Sequence, residues 1–138
     1  MKDLYESDEV AWLEKMVGLI KNKDYVDLDY ESLIDFLESA AARDRREVLS
    51  RLTALMAQIL KVTLKPWMEM DSWRGAVFVH RRHLQDLLES ATLRRYACEV
   101  LGRAYERAVN TAAAETGMEE SSFPAECPYT IETLLVDE

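Results

Sequence analysis

Residues 30–64 contain no glycine and no proline, and this uninterrupted run most constrains the fold. Its apolar side chains keep roughly in phase with a seven-residue repeat, which predicts one long helix of roughly 50 Å at 1.5 Å per residue. Pro66 must end that helix. Because the stripe weakens over residues 40–46, two helices with a break near Ala42 are the alternative. The repeat consists of Ile34, Leu37, Ala41, Val48, Leu52, Leu55 and Ile59.

Four further helices are predicted from apolar periodicity and capping residues. They cover residues 8–22, 73–90, 93–116 and 131–135. No strand-length alternation of apolar and polar residues is present. We therefore expect an all-α, up-down helical bundle of four main helices plus a short C-terminal one, forming a single domain over residues 1–138. The predicted caps are Ser7 or Asp8, Ser72, Gly117 and Thr130.

Composition excludes several classes of protein. Apolar residues make up 49% of the chain, with only 4 Gly and 3 Pro, which is unlike disordered or collagen-like chains. No apolar run reaches the ~18 residues that a membrane span needs. The acidic N-terminus lacks the apolar core of an export signal. We therefore expect a cytoplasmic protein without a membrane partner.

Charge is segregated along the chain. Residues 1–40 carry a net charge of −7, residues 41–110 carry +5 and residues 111–138 carry −7. These segments can neutralise one another within one bundle, or the basic middle segment can bind an acidic partner. The overall charge of −9 argues against non-specific nucleic-acid binding, because affinity for phosphate needs a net positive surface.

Two cysteines are too few for an exported disulfide scaffold of this size, so reduced thiols are expected. Cys98 falls on a helical apolar face and is predicted to lie in the core. Cys127 lies beside a proline in a loop and is predicted to be the more accessible thiol.

The two histidines of the chain form the one candidate for metal chemistry. His80 and His83 stand at i and i+3 on one helix, and early carboxylates could complete a carboxylate–histidine site. Against this, no Glu-x-x-His pair occurs, and the alternative is that His80 packs at the core edge while His83 is solvated. No nucleophile has a recognisable base, and the glycines form no phosphate loop. We predict no cofactor, and the lack of these motifs favours a protein that is not an enzyme. The candidate carboxylates are Glu31, Asp35 and Glu38.

Basic and aromatic residues near the chain centre are the candidates for an interaction site. Arginine suits carboxylate and phosphate recognition, and a tryptophan in a connection can anchor a partner. The alternatives are salt bridges between helices for the arginines and closure of the bundle end for the tryptophans. The candidates are Trp67, Trp73, Arg74, Arg81 and Arg82.

Seven segments spread along the chain carry short motifs: 3–5 (DLY) with Asp8 and Trp12, 33–39 (LIDFLES), 72–74 (SWR), 93–96 (LRRY), 104–108 (AYERA), 114–117 (AETG) and 122–131 (SFPAECPYTI). Together they resemble a bacterial family called domain of unknown function twenty-nine. The resemblance implies an all-helical bacterial protein without an established activity. The family often has a histidine where this chain has Gln58, so a role of that histidine would be missing here.

The sequence does not identify a function, and three hypotheses follow from it. The first is a non-enzymatic protein-interaction module of the bacterial cytoplasm, whose partner can be another protein or a second copy of the chain. The second is a metal-binding helical-bundle enzyme that uses the carboxylates and the His80/His83 turn. The third is a nucleic-acid-linked regulator that uses the arginine face, although a net basic domain would be expected for it.

Overall fold

The computed structural model describes residues 2–64 and 70–136, and within these ranges it contains helices and no strand. The all-α prediction is confirmed. Lys65, Pro66 and Trp67 lie outside the described residues. A single turn of 3-10 helix covers Glu120–Ser122. The helices are α1 (Lys2–Ser7), α2 (Glu9–Lys21), α3 (Tyr30–Leu64), α4 (Met70–Leu87), α5 (Ala91–Thr116) and α6 (Ile131–Leu135).

The long helix is confirmed as one element. α3 runs from Tyr30 to Leu64 without the alternative break at Ala42. Its start is fixed by Asp29, whose carboxylate accepts a hydrogen bond from the backbone N–H of Ser32 at 3.2 Å. This bond satisfies one of the donors that a helix N-terminus leaves free.

Local capping chemistry also sets most of the other boundaries. Asp8 caps α2, and Ser90 caps α5 by accepting from the backbone N–H of Leu93. Gly117 ends α5 in the left-handed conformation at φ 74°, where its lack of a Cβ avoids strain. Thr130 opens α6 with a capping box.

Two boundary predictions are wrong. α4 covers Met70–Leu87 rather than 73–90, so Ser72 lies inside the helix and does not cap it. At the other end the helix stops early because Ser90 is used as the cap of α5. α1 has no counterpart among the predicted helices, since six residues are too few to show a helical period.

The structure divides into two compact units, and the boundary falls between Ala42 and Arg43. α3 contributes its first turns to the first unit and the remainder to the second. The single domain over residues 1–138 stays a prediction.

The first unit has a small core built around Trp12. The Trp12 ring lies 4.5 Å from the ring of Tyr5 and 5.9 Å from that of Phe36, measured between centroids. Its indole N–H donates to Asp29 at 3.3 Å. Met16, one turn further along α2, is buried with it.

The second unit holds a much larger apolar core. The later part of α3 supplies one face of it, and α5 packs small side chains and Tyr105 against that face. Side chains from α4, α6 and the segment between α5 and α6 complete it. The core includes Val48, Leu52, Leu55, Met56, Leu60, Leu84, Ala97, Ala104, Tyr105, Ala108, Phe123, Ile131 and Leu134.

Candidate functional site

The first unit exposes an unusual amount of apolar side chain. On α3, Ile34 is 57% exposed and Leu37 is 62% exposed, although both belong to the repeat that predicted the helix. Single exposed apolar residues are ordinary, whereas contiguous exposed apolar patches are typical of interaction surfaces. We call this group the N-terminal apolar surface: Val10, Val17, Ile20, Tyr25, Val26, Tyr30, Ile34 and Leu37.

Acidic residues accompany this surface on α3. Glu31 and Glu38 are exposed and lie within one turn of Ile34 and Leu37. Asp35 instead accepts a hydrogen bond from the hydroxyl of Tyr5 at 2.7 Å. That bond to the carboxylate is the main reason that the pKa of Tyr5 is raised to about 12. The early carboxylates therefore give this part of α3 a negative edge.

The second unit contains a groove of about 710 Å³ between the later part of α3, helix α4 and helix α6. Phe78, on α4, lines it and is 56% exposed. The lining is mainly apolar, with two arginines and a few hydroxyl groups. It consists of Ile59, Val62, Thr63, Arg74, Val77, Phe78, Arg81, Tyr129, Thr133, Leu134 and Val136.

Two members of the predicted arginine face, Arg74 and Arg81, line this groove, and the third, Arg82, follows Arg81 on α4. Arg74 and Arg82 are exposed on α4. Arg81 is half-buried, and its Nε donates to the backbone carbonyl of Leu134 at 2.9 Å. Gln85 makes a similar bond of 2.8 Å to the carbonyl of Leu135. Arg81 thus helps to hold α6 against α4, whereas Arg74 and Arg82 present their charge to solvent.

His80 belongs to a short polar chain in the second unit. Arg51 donates from Nη1 to Nδ1 of His80 at 3.0 Å and from Nε to Glu47 at 2.7 Å. An arginine is always a donor, so Nδ1 of His80 acts as the acceptor. Burial, and then the positive charge of Arg51, lower the pKa of His80 from its ordinary value of 6.5. His83 is exposed.

This lowered pKa predicts a loss of stability in mild acid. In the unfolded chain the imidazole binds a proton at its ordinary pKa, whereas folded His80 binds one only at lower pH. The contribution of neutral His80 to the free energy of unfolding is therefore present above pH 6.5 and is lost as the pH falls below that. We expect His80→Gln to reduce the loss of unfolding free energy between about pH 7 and pH 5. The measurement is urea unfolding at both pH values. His83→Gln is the matched control and should keep most of the wild-type loss, because His83 contributes less than burial and Arg51 to the lowered pKa of His80. An equal effect of both substitutions would contradict the assignment to His80.

The metal hypothesis gains no support from the described residues. Within the described ranges, no group of three or more His, Cys, Asp or Glu residues lies close enough to hold a metal ion. Glu31 and Glu38 are exposed on the first unit, Asp35 is engaged by Tyr5, and His80 is engaged by Arg51.

The most deeply buried charged side chain among the described residues is one that the sequence pattern did not indicate. Lys61 is 2% exposed in the second unit, and its ammonium forms a salt bridge with Glu115, whose side chain is 48% exposed. The same ammonium lies 5.0 Å from the ring centroid of Trp73, a favourable position for a cation over an aromatic face. Trp73 is itself buried. Lys61 stands four residues after Ala57, which is buried, so both lie on the core side of α3.

The predictions for the two cysteines are wrong. Cys98 is exposed, because its neighbour Ala97 takes the core position on α5. Cys127 is half-buried, with its sulfur 3.9 Å from that of Met56. Burial raises the pKa of the Cys127 thiol, so this thiol is held in its protonated form.

Several of the residues that carry the family resemblance have structural roles in the second unit. Tyr105 donates from its hydroxyl to the carbonyl of Pro124 at 2.6 Å, and Phe123 is buried. Glu115 pairs with Lys61, and Gly117 ends α5. Gln58 has a buried side-chain oxygen that accepts no hydrogen bond from the described residues. These motifs therefore fix the C-terminal segment onto the helices.

The helical fold and these C-terminal motifs define the class as all-α proteins. Comparison with known protein families then identifies the family. The family model described as Domain of unknown function DUF29 matches residues 4–138. The chain belongs to this family. Neither the curated proteins nor the solved structures give a match. None of the described helices is long and apolar enough to cross a membrane.

Proposed function

We propose that this protein is a non-enzymatic protein-interaction module and that the N-terminal apolar surface is its binding surface. The exposure of that surface is the observation that carries the proposal. Covering apolar area removes it from water, a gain of roughly 25 cal/mol for each Å² from which the entropy cost of association is subtracted. Tyr25 and Tyr30 add the aromatic character that is typical of strong binding positions.

The arrangement of the surface on α3 supports recognition of a helix or groove. Tyr30, Ile34 and Leu37 follow one another at spacings of four and three, so they form a stripe along one side of the helix. Such a stripe is the usual way in which an amphipathic helix enters an apolar groove. Two free thiols, one of them exposed, fit a reducing compartment, which supports the bacterial cytoplasm as the location.

Site-specific photo-crosslinking in bacterial cells tests the proposal. A benzophenone amino acid is placed at Leu37, and in a control chain at Ala114, which is exposed on α5. We expect illumination to give one or a few discrete adducts from Leu37 and none from Ala114, since only the first position lies on the proposed binding surface. Mass spectrometry then identifies the crosslinked protein.

The result that would count against a binding role is equally clear. No adduct from Leu37, or the same pattern from Leu37 and Ala114, would show that the N-terminal apolar surface does not bind a protein in the cell.

A further inference from the structure

We propose that the partner of the N-terminal apolar surface is a second copy of this chain. In this arrangement the first turns of α3 in one copy lie antiparallel to α4 in the groove of the other. The inference rests on the proposed function and names the partner for it. It follows from the match between two surfaces that the same chain carries: the acidic apolar stripe at the start of α3 and the basic apolar groove along α4.

The spacing of side chains on the two helices is complementary. Glu31 and Glu38 are seven residues apart, roughly 10 Å along α3, with Ile34 between them. Arg74 and Arg82 are eight residues apart, roughly 12 Å along α4, with Phe78 between them. When the helices run antiparallel with Ile34 opposite Phe78, Glu38 meets Arg74 and Glu31 meets Arg82.

The charges on both surfaces are available for this contact. Glu31, Glu38, Arg74 and Arg82 are all exposed, and no ion pair joins any of them to another residue within the described ranges. Opposite charges at the rim of an interface guide encounter and fix the register, and they reject an alignment that brings like charges together. Because residues 1–40 carry a net charge of −7, pairing two such surfaces with each other would be repulsive.

The apolar parts of the two surfaces also match. Ile34 and Leu37 are each more than half exposed, and the groove offers Val77, Phe78 and Val136. The contact joins two different surfaces, so every copy can give one helix and receive another. If two copies each gave a helix to the other, the buried area would be twice that of a single contact. A stable interface buries roughly 1,200–2,000 Å² in total.

Charge reversal on each surface tests the inference with the full-length protein. One variant carries Glu31→Arg and Glu38→Arg, and the other carries Arg74→Glu and Arg82→Glu. We expect the wild-type chain to self-associate by sedimentation velocity and each variant alone to weaken association by about tenfold or more. Arg81 is left unchanged because it holds α6 through the Leu134 carbonyl.

Restoring complementarity separates a specific contact from misfolding. Mixing the two variants, or combining all four substitutions in one chain, should return the dissociation constant to within a few-fold of wild type. Helix α5 offers matched controls on exposed positions with the same spacings. Glu99→Arg with Glu106→Arg, and Arg95→Glu with Arg103→Glu, should leave association unchanged.

The outcomes distinguish this inference from the proposed function. A wild-type chain that stays monomeric up to hundreds of micromolar, together with a Leu37 adduct to a different protein, would overturn the second copy and keep the interaction role. Self-association that neither variant weakens, or that the mixture fails to restore, would overturn the α3–α4 contact. A monomer without any Leu37 adduct would overturn both.

Discussion

Replacing Glu115 with alanine is expected to lower the free energy of unfolding by about 3 kcal/mol. The reason is that Lys61 is 2% exposed and its salt bridge with Glu115 is its one ionic partner among the described residues. Without that carboxylate the ammonium stays buried beside Trp73, and a ring face alone compensates little of its lost hydration. Urea unfolding of wild type and variant at neutral pH measures the difference.

Replacing Lys61, the other member of the pair, is expected to change the free energy of unfolding much less. Lys61→Met keeps a long unbranched side chain in the core, and it leaves behind Glu115, whose side chain is 48% exposed and remains hydrated. A buried ion pair replaced by apolar side chains of similar volume is often neutral, so we expect a change within about 1.5 kcal/mol. Equal destabilisation by the two substitutions would contradict this asymmetry.

Replacing Trp12 with alanine is expected to cost about 3–5 kcal/mol, and the loss should appear in the first unit. Trp12 is completely buried there between Tyr5 and Phe36, and its indole N–H reaches the carboxylate of Asp29, the residue that also caps α3. Neighbouring side chains cannot fill the cavity left by the ring, because Met16 is the main other buried apolar side chain of that unit. Amide hydrogen exchange should show lost protection in α2 and at the start of α3.

Two further substitutions serve as controls for the loss of stability in Trp12→Ala. Trp12→Phe keeps an aromatic ring and removes the N–H, so a smaller loss of about 1–3 kcal/mol is expected. Val10→Ala, at an exposed position close by, should change stability by less than about 0.5 kcal/mol. Unchanged protection of α2 in Trp12→Ala would show that this ring does not hold the first unit together.

Helices were predictable where the decisive chemistry is local. Asp8, Gly117 and Thr130 each act within one turn of their own position, so the sequence is enough to place them. The absence of glycine and proline from residues 30–64 was likewise sufficient to predict α3. The limits of α4 were misplaced because Ser72 and Ser90 are both plausible caps. Ser90 could end α4 or begin α5, and only the packing of the two helices decides between these roles.

Burial was less predictable because it depends on what packs against a helix. Ile34 and Val48 occupy equivalent positions in the seven-residue repeat, yet Val48 is buried and Ile34 faces solvent. Lys61 looked like an ordinary surface residue because its partner Glu115 lies far away along the chain. Of the candidate interaction residues, Trp73 is buried and Trp67 lies outside the described residues. Arg74 and Arg82 are exposed, and their role in binding stays a prediction.

The continuity of α3 has a kinetic consequence for binding. Tyr30, Ile34 and Leu37 are held in helical geometry before any partner arrives, because Asp29 fixes the first turn and the helix continues to Leu64. Ordering a flexible segment on binding would cost about 1–2 kcal/mol for each residue, and a preformed helix avoids that entropy loss. Association should therefore proceed at a rate set by collision and orientation rather than by folding of the binding segment.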